Sequence, residues 1–159
     1  MADHTQAADV GPPVGDPIGW DPDGGWTHPT LRRAVEHGVR LYNDRAYHPA
    51  HDCFEDEWFN YGQGRLESRF CHGMVQVAAG ALKYAEAGDL AGMESLFGTA
   101  SQYLRDVPRD FYGVDVLDVR TVLQNARTDP SVLDDWRITL DGSQPRADRA
   151  DYAYAAALE

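Results

Sequence analysis

Lysine is almost missing from this chain: Lys83 stands alone beside thirteen arginines. No basic run exists that could displace the counterions of a phosphate backbone, so nucleic acid is excluded as an expected partner. No stretch approaches eighteen consecutive apolar residues, so no segment is expected to span a membrane. Cysteine is nearly as scarce, and Cys53 and Cys71 give neither a disulfide framework nor a C-x-x-C zinc spacing. The opening "MADHTQAADVGPPVGDP" lacks the basic start and apolar run of a signal peptide, which leaves the cytoplasm as the expected location. There is no Gly-rich phosphate loop, no serine elbow and no cysteine with an obvious base.

What is present in excess is acid. Asp and Glu number 26 against 14 basic residues, a net charge of −12, and nineteen of the acids are aspartates. A short, strongly hydrated carboxylate in excess with lysine depleted predicts a surface that stays hydrated in concentrated salt, where screening removes the self-repulsion. In this respect the chain resembles a haloarchaeal cytosolic protein. A homo-oligomer is compatible with the sequence, which names neither a small-molecule nor a protein partner.

At 159 residues the chain is long enough for one domain with a real core. Residues 1–28 are rich in Gly, Pro and Asp and read as an irregular arm, laid down on the domain by Trp20 and Trp26. Residues 29–140 read as a helical domain. Leu31, Ala34, Val35, Gly38, Leu41 and Tyr42 share the face of a first helix that Thr30 caps. A second helix opens after Tyr47 with Pro49 in its first turn, where a missing N–H costs least. The third, Leu66 to Ala87, carries between Phe70 and Leu82 only His72 and Gln76 as strongly polar side chains and is expected to be central. Gly88 stops it and Asp89 caps a fourth, so these two helices form an antiparallel hairpin. A shorter fifth helix lies in "DVLDVRTVLQNART", and "DPSVLDDW" adds a turn. Residues 141–159 read as a polar, Ala-rich, loosely docked tail. With no convincing strand, the class is all-α: a bundle of three to four long helices with short C-terminal helices.

The stretch "YHPAHDCFEDEW", Tyr47 to Trp58, concentrates the chemistry. With His51 set at zero and about 100° per residue, Phe54, Glu55 and Trp58 join it on one face, expected inward. Asp56 and Glu57 then point to water with Cys53, and Asp52 sits on the flank. On the third helix His72 and Gln76 are i and i+4. If the two helices pack side by side, His51, Glu55, His72 and Gln76 converge, a divalent-metal constellation of two imidazoles and a carboxylate. Two other readings stay open: a buried His–Glu hydrogen-bond network, and a solvent face shared with Arg65, Arg69, Lys83 and Glu86. "HDCFE" departs from the zinc-protease H-E-x-x-H at two of its positions, which disfavours a protease.

"LYNDRAYHPAHDCFEDEW" followed by "FCHGMVQVAAGALKYAEAGDLAGMESLF" resembles the helical family called domain of unknown function 309. The resemblance runs from about Thr30 to Leu104 and implies matched positions at Asn43, Ala50, His51, Glu55, Trp58, Gly73, Gln76, Ala78, Gly88, Gly92 and Leu96. Asp52, His72 and Asp89 stand where that family usually has Glu, Gln and Asn. The resemblance implies a helical bundle and brings no activity. The expected function is a metal-dependent or small-molecule-binding module with its site between the second and third helices. His51 and Glu55 are the candidates for an acid–base pair, and His51, Glu55 and His72 for metal ligands. Trp58 is a wall, and Asn43 and Gln76 are orienting hydrogen-bond partners. The alternative is a non-catalytic structural or protein-interaction domain in which this cluster only locks the helix packing.

Overall fold

A computed structural model describes residues 10–159; the first nine residues of the expected N-terminal arm lie outside the described residues. The chain is mostly helical. α1 (Pro29–Asn43), α2 (Tyr47–Trp58), α3 (Leu66–Ala87) and α4 (Leu90–Leu104) follow one another through short turns, then come α5 (Val116–Thr128), a 3-10 turn (Pro130–Leu133) and α6 (Arg149–Ala156). The expectation of no strand is corrected by two short antiparallel hairpins, β1 (Trp20–Asp21) with β2 (Gly25–Trp26) and β3 (Asp110–Phe111) with β4 (Val114–Asp115). Two-residue strands carry no alternating pattern that could announce them.

α3 packs against both α2 and α4, and α1 packs on α2. Its central stretch is buried on most sides, with Phe70, Cys71, Met74, Val77 and Ala78 closed to solvent, because almost nothing polar interrupts it. Gly88 ends α3 in the left-handed conformation (φ 61°), and the Asp89 carboxylate caps α4 by accepting from the Gly92 N–H at 2.8 Å. The hairpin closes tightly: a Cβ on Gly80 would lie 2.4 Å from Phe97 Cε1. On the other side, the Phe54 ring fills the space above Gly38, where a Cβ would meet it at 2.7 Å.

The arm is tied down by its tryptophans. Trp26 is buried, stacks on Tyr112 with centroids 5.4 Å apart, and its indole N–H donates to the Gly11 carbonyl. The C-terminal stretch, expected to dock loosely, is anchored instead. Asp151 on α6 is fully buried and accepts from Arg40 Nε (2.9 Å), with His37 Nδ1 at 2.8 Å. Burial raises its carboxyl, but the Asp148 N–H, Arg40 and His37 outweigh that and hold it below the ordinary carboxylate value. An alanine-rich helix with one acid gives no hint of this in sequence, because the partners are more than a hundred residues away.

Candidate functional site

The phase of α2 decides the site. Its core-facing residues are Tyr47, Ala50, Cys53, Phe54 and Glu57. That stripe is turned about 100° from His51, Glu55 and Trp58. The expected orientation is therefore corrected: Glu55 is 47% exposed and Glu57 only 3%, while Asp56 faces solvent as its position suggested. Trp58 is half-buried against the core rather than largely buried. Cys53 does not point outward either; it is fully buried, and burial, with the Asp52 charge next in size, pushes its thiol up to about 12. Burial, with the Glu57 charge next, likewise raises the Cys71 thiol well above its ordinary value. Both are neutral thiols and neither is a nucleophile.

Glu57, missed by the helical projection, is the centre of a buried network. Its Oε1 accepts from Thr30 Oγ1 on α1 at 2.9 Å and from the Tyr61 hydroxyl at 2.6 Å. Burial and then the hydrogen bond to Glu57 raise the Tyr61 phenol well above its ordinary range. One carboxylate thus joins α1, α2 and the 59–65 loop. The sequence did carry a signal: anchoring the projection on the apolar set Ala50, Cys53 and Phe54, rather than on His51, brings Glu57 inward.

The four residues expected to converge are divided between two places. His51 pairs with Glu55 (Nε2 to Oε2, 3.7 Å) and with Asp52 (Nδ1 to Oδ1, 3.2 Å) on the outer flank of α2. His72 lies elsewhere, between the rings of Trp58 (3.9 Å) and Tyr103 (3.8 Å), with Gln76 Nε2 3.2 Å from its Nε2. An amide donor facing Nε2 assigns the imidazole proton to Nδ1. Among the described residues, the three potential metal ligands whose donor atoms fall within 4.8 Å of one another are His48, His51 and Asp52, not His51, Glu55 and His72. Asn43 is fully used by the backbone: its amide donates to the Ile138 and Pro145 carbonyls and accepts from the Ile138 N–H at 2.6 Å. It splices the 138–145 segment to the end of α1.

Around His72 the chain opens into a cleft of about 650 Å³, lined by Trp58, Phe59, Tyr61, Ser68, Arg69, His72 and Tyr103, with Gln63 and Gly64 from the 59–65 loop. Four rings follow one another along it: Phe59 on Trp58 (4.8 Å, 20° between planes), Trp58 on His72, and His72 on Tyr103. They come from the end of α2 and the loop after it, from α3 and from α4, so the stack crosses three helices. Arg69 lies over the Tyr103 ring at 5.6 Å, donates to the Gln102 carbonyl at 2.8 Å and pairs with Asp106 at 3.6 Å. Burial holds the His72 imidazole below its ordinary value, so it is uncharged at neutral pH. Phe59, 74% exposed, leaves a large apolar ring at the mouth. Sequence reading found Trp58, His72 and Gln76, with Arg69 on the face of the latter two, but not Tyr61, Ser68 or Tyr103 as their neighbours, because residues from three segments meet only once the helices pack.

A family model described as "Domain of unknown function (DUF309)" matches residues 35–96, from the first turns of α1 into α4. The chain is similar to that family over this span, which contains His51, Trp58, His72 and Gln76 but not Tyr103. No curated protein matches the chain.

Proposed function

We propose that the chain is a small-molecule-binding module, with the bundle of α1 to α4 as its frame and the cleft between α2, α3 and α4 as its site. The ligand class is a neutral, planar heteroaromatic. The observation that carries this reading is the run of ring contacts, Phe59 stacked on Trp58 and His72 tilted by 31–32° between Trp58 and Tyr103, beside a cleft of about 650 Å³, a volume within the range of small-ligand pockets. Stacked aromatic walls offer a planar ring offset contacts, and the uncharged imidazole offers one polar partner. Among the described residues Arg69 is the one charged group lining the cleft; its Nη2 is engaged by the Gln102 carbonyl and Asp106 and its guanidinium lies over Tyr103, while its Nε is buried without a hydrogen-bond partner. The protein's charge of −12 disfavours an anionic ligand.

A structural reading is favoured by one observation at another place. Asn43, expected to orient a ligand, spends its side-chain amide on the backbone of Ile138 and Pro145. It serves as a lock for the helix-to-segment packing and is left out of the binding site. The acidic, lysine-poor composition further supports a cytoplasmic protein of a high-salt cell, a haloarchaeal member of the family.

Thermal-shift measurements with adenosine, nicotinamide and indole test the binding reading. At least one is expected to raise the melting temperature in a saturable way, because a ligand that binds only the native state stabilises it. The shift is expected to vanish in Tyr103→Ala and to persist in Glu55→Ala. No shift with any of the three, or an equal shift in both variants, contradicts the reading.

A further inference from the structure

The outer flank of α2 carries a second constellation, away from the residues that line the cleft. His48, His51 and Asp52 occupy i, i+3 and i+4, which a helix brings to one side. The two imidazole planes are nearly parallel, 8° apart with centroids 6.1 Å apart. Asp52 reaches both: Oδ1 lies 3.2 Å from His51 Nδ1 and Oδ2 lies 3.6 Å from His48 Nε2. One donor atom from each of the three falls within 4.8 Å of the others. In a tetrahedral site with bonds of about 2.0–2.1 Å, neighbouring donors stand roughly 3.3–3.4 Å apart, so the three must close by up to about 1.4 Å through side-chain rotation. Glu55 Oε2 is 3.7 Å from His51 Nε2, and Glu159 Oε1, brought in from beyond α6, is 3.8 Å from His48 Nε2. Each lies near one imidazole only and outside the group of three, so either must swing in to supply a fourth oxygen. His48, Asp52, Glu55, Asp56 and Glu159 line a shallow depression of about 240 Å³, with His51 at its border rather than in its lining. Among the described residues, the ion pairs of Asp52, Glu55 and Glu159 are all with histidine, and no arginine or lysine neutralises them.

The geometry points to a divalent transition-metal site formed by His48, His51 and Asp52, completed by Glu55 or Glu159. Two imidazoles select a borderline ion such as Zn²⁺ or Ni²⁺ over Mg²⁺, which takes oxygen donors and keeps its water. The carboxylates supply charge. With Glu159 as the fourth ligand, the bound ion would pin the end of the chain to α2; with Glu55, the site lies on α2 alone.

The test is a calorimetric titration of the full, untagged chain with ZnCl2 in 10 mM MgCl2, the magnesium occupying carboxylates that bind cations without preference. One equivalent of Zn²⁺ is expected to bind. His48→Ala and His51→Ala should each weaken it by about tenfold or more, and His72→Gln should leave it unchanged. Because His48 is 63% exposed, its replacement does not touch the core. As a second readout, the imidazole NMR signals of His48 and His51 should shift with Zn²⁺ while those of His72 stay fixed. The proposal is overturned if no stoichiometric binding survives magnesium, if both alanine variants bind as the wild type does, or if His72→Gln weakens binding equally.

Discussion

Two glutamates two residues apart on α2 have opposite fates. Glu57 accepts from Thr30 and Tyr61 in a dry site, whereas Glu55 stands half in water beside His51. Glu57→Ala removes the carboxylate that the Thr30 and Tyr61 hydroxyls share and is expected to cost about 2–3 kcal/mol, since hydrogen bonds to a buried charged group exceed the ordinary contribution. Glu55→Ala should stay within about 0.5 kcal/mol, as surface changes do. Urea denaturation of the two variants checks the order, and equal losses would refute the assignment. His72 gives a pH signature. Its folded pKa is lowered by burial, so the unfolded chain takes up the proton first as pH falls. Its contribution is therefore complete above the unfolded value of about 6.5 and is lost as pH drops from there through the folded value. Between pH 7.5 and 5.5 the wild-type melting temperature should fall more than that of His72→Gln; parallel curves would show that His72 does not titrate in this way.

Small residues set the spacing of the helices. Gly80 has Phe97 where a Cβ would sit, 2.4 Å away, while Gly98 on α4 has nothing within 4 Å. Alanine gains up to about 1 kcal/mol over glycine in a helix interior, so Gly98→Ala should stabilise by roughly that amount. Gly80→Ala meets a fully buried ring and should destabilise, overpacking costing about 1–3 kcal/mol. Thermal melts that rank the two variants the other way would contradict the close α3–α4 packing. The helices themselves were legible because their signals are local. The Leu66–Ala87 span, the Gly88 stop and the Asp89 cap follow from apolar runs and capping chemistry within a few residues. The hairpins were not, because two-residue strands carry no alternating pattern, and the α6 anchor was not, because Asp151 meets α1 in contacts that no window of sequence contains. The site was half legible for the same reason. His72 and Gln76 stand out as the polar pair on an apolar helix, but Tyr103 becomes their neighbour only when α4 folds back. The phase of α2 failed where the projection was anchored on a polar residue of interest instead of its apolar stripe.

Over the whole molecule, charge dominates. A net −12 on 159 residues repels itself in dilute buffer, and the single lysine leaves little flexible cationic surface to offset it. The melting temperature should climb as KCl rises to molar concentrations, beyond the few hundred millimolar at which simple screening between exposed charges is largely spent. A flat or falling curve over that range would remove the high-salt reading. The cleft takes only Trp58 from α2 and shares no residue with the histidine flank of that helix, so a planar ligand and a metal ion should bind independently. The most direct test of the binding reading is a titration of the protein with adenosine, nicotinamide or indole, observed at the imidazole proton resonances of His72. A ring stacked in the cleft should shift the His72 signals in proportion to occupancy while those of His51 remain where they are. His72 resonances that stay fixed while His51 moves, or that stay fixed throughout with all three compounds, would contradict it.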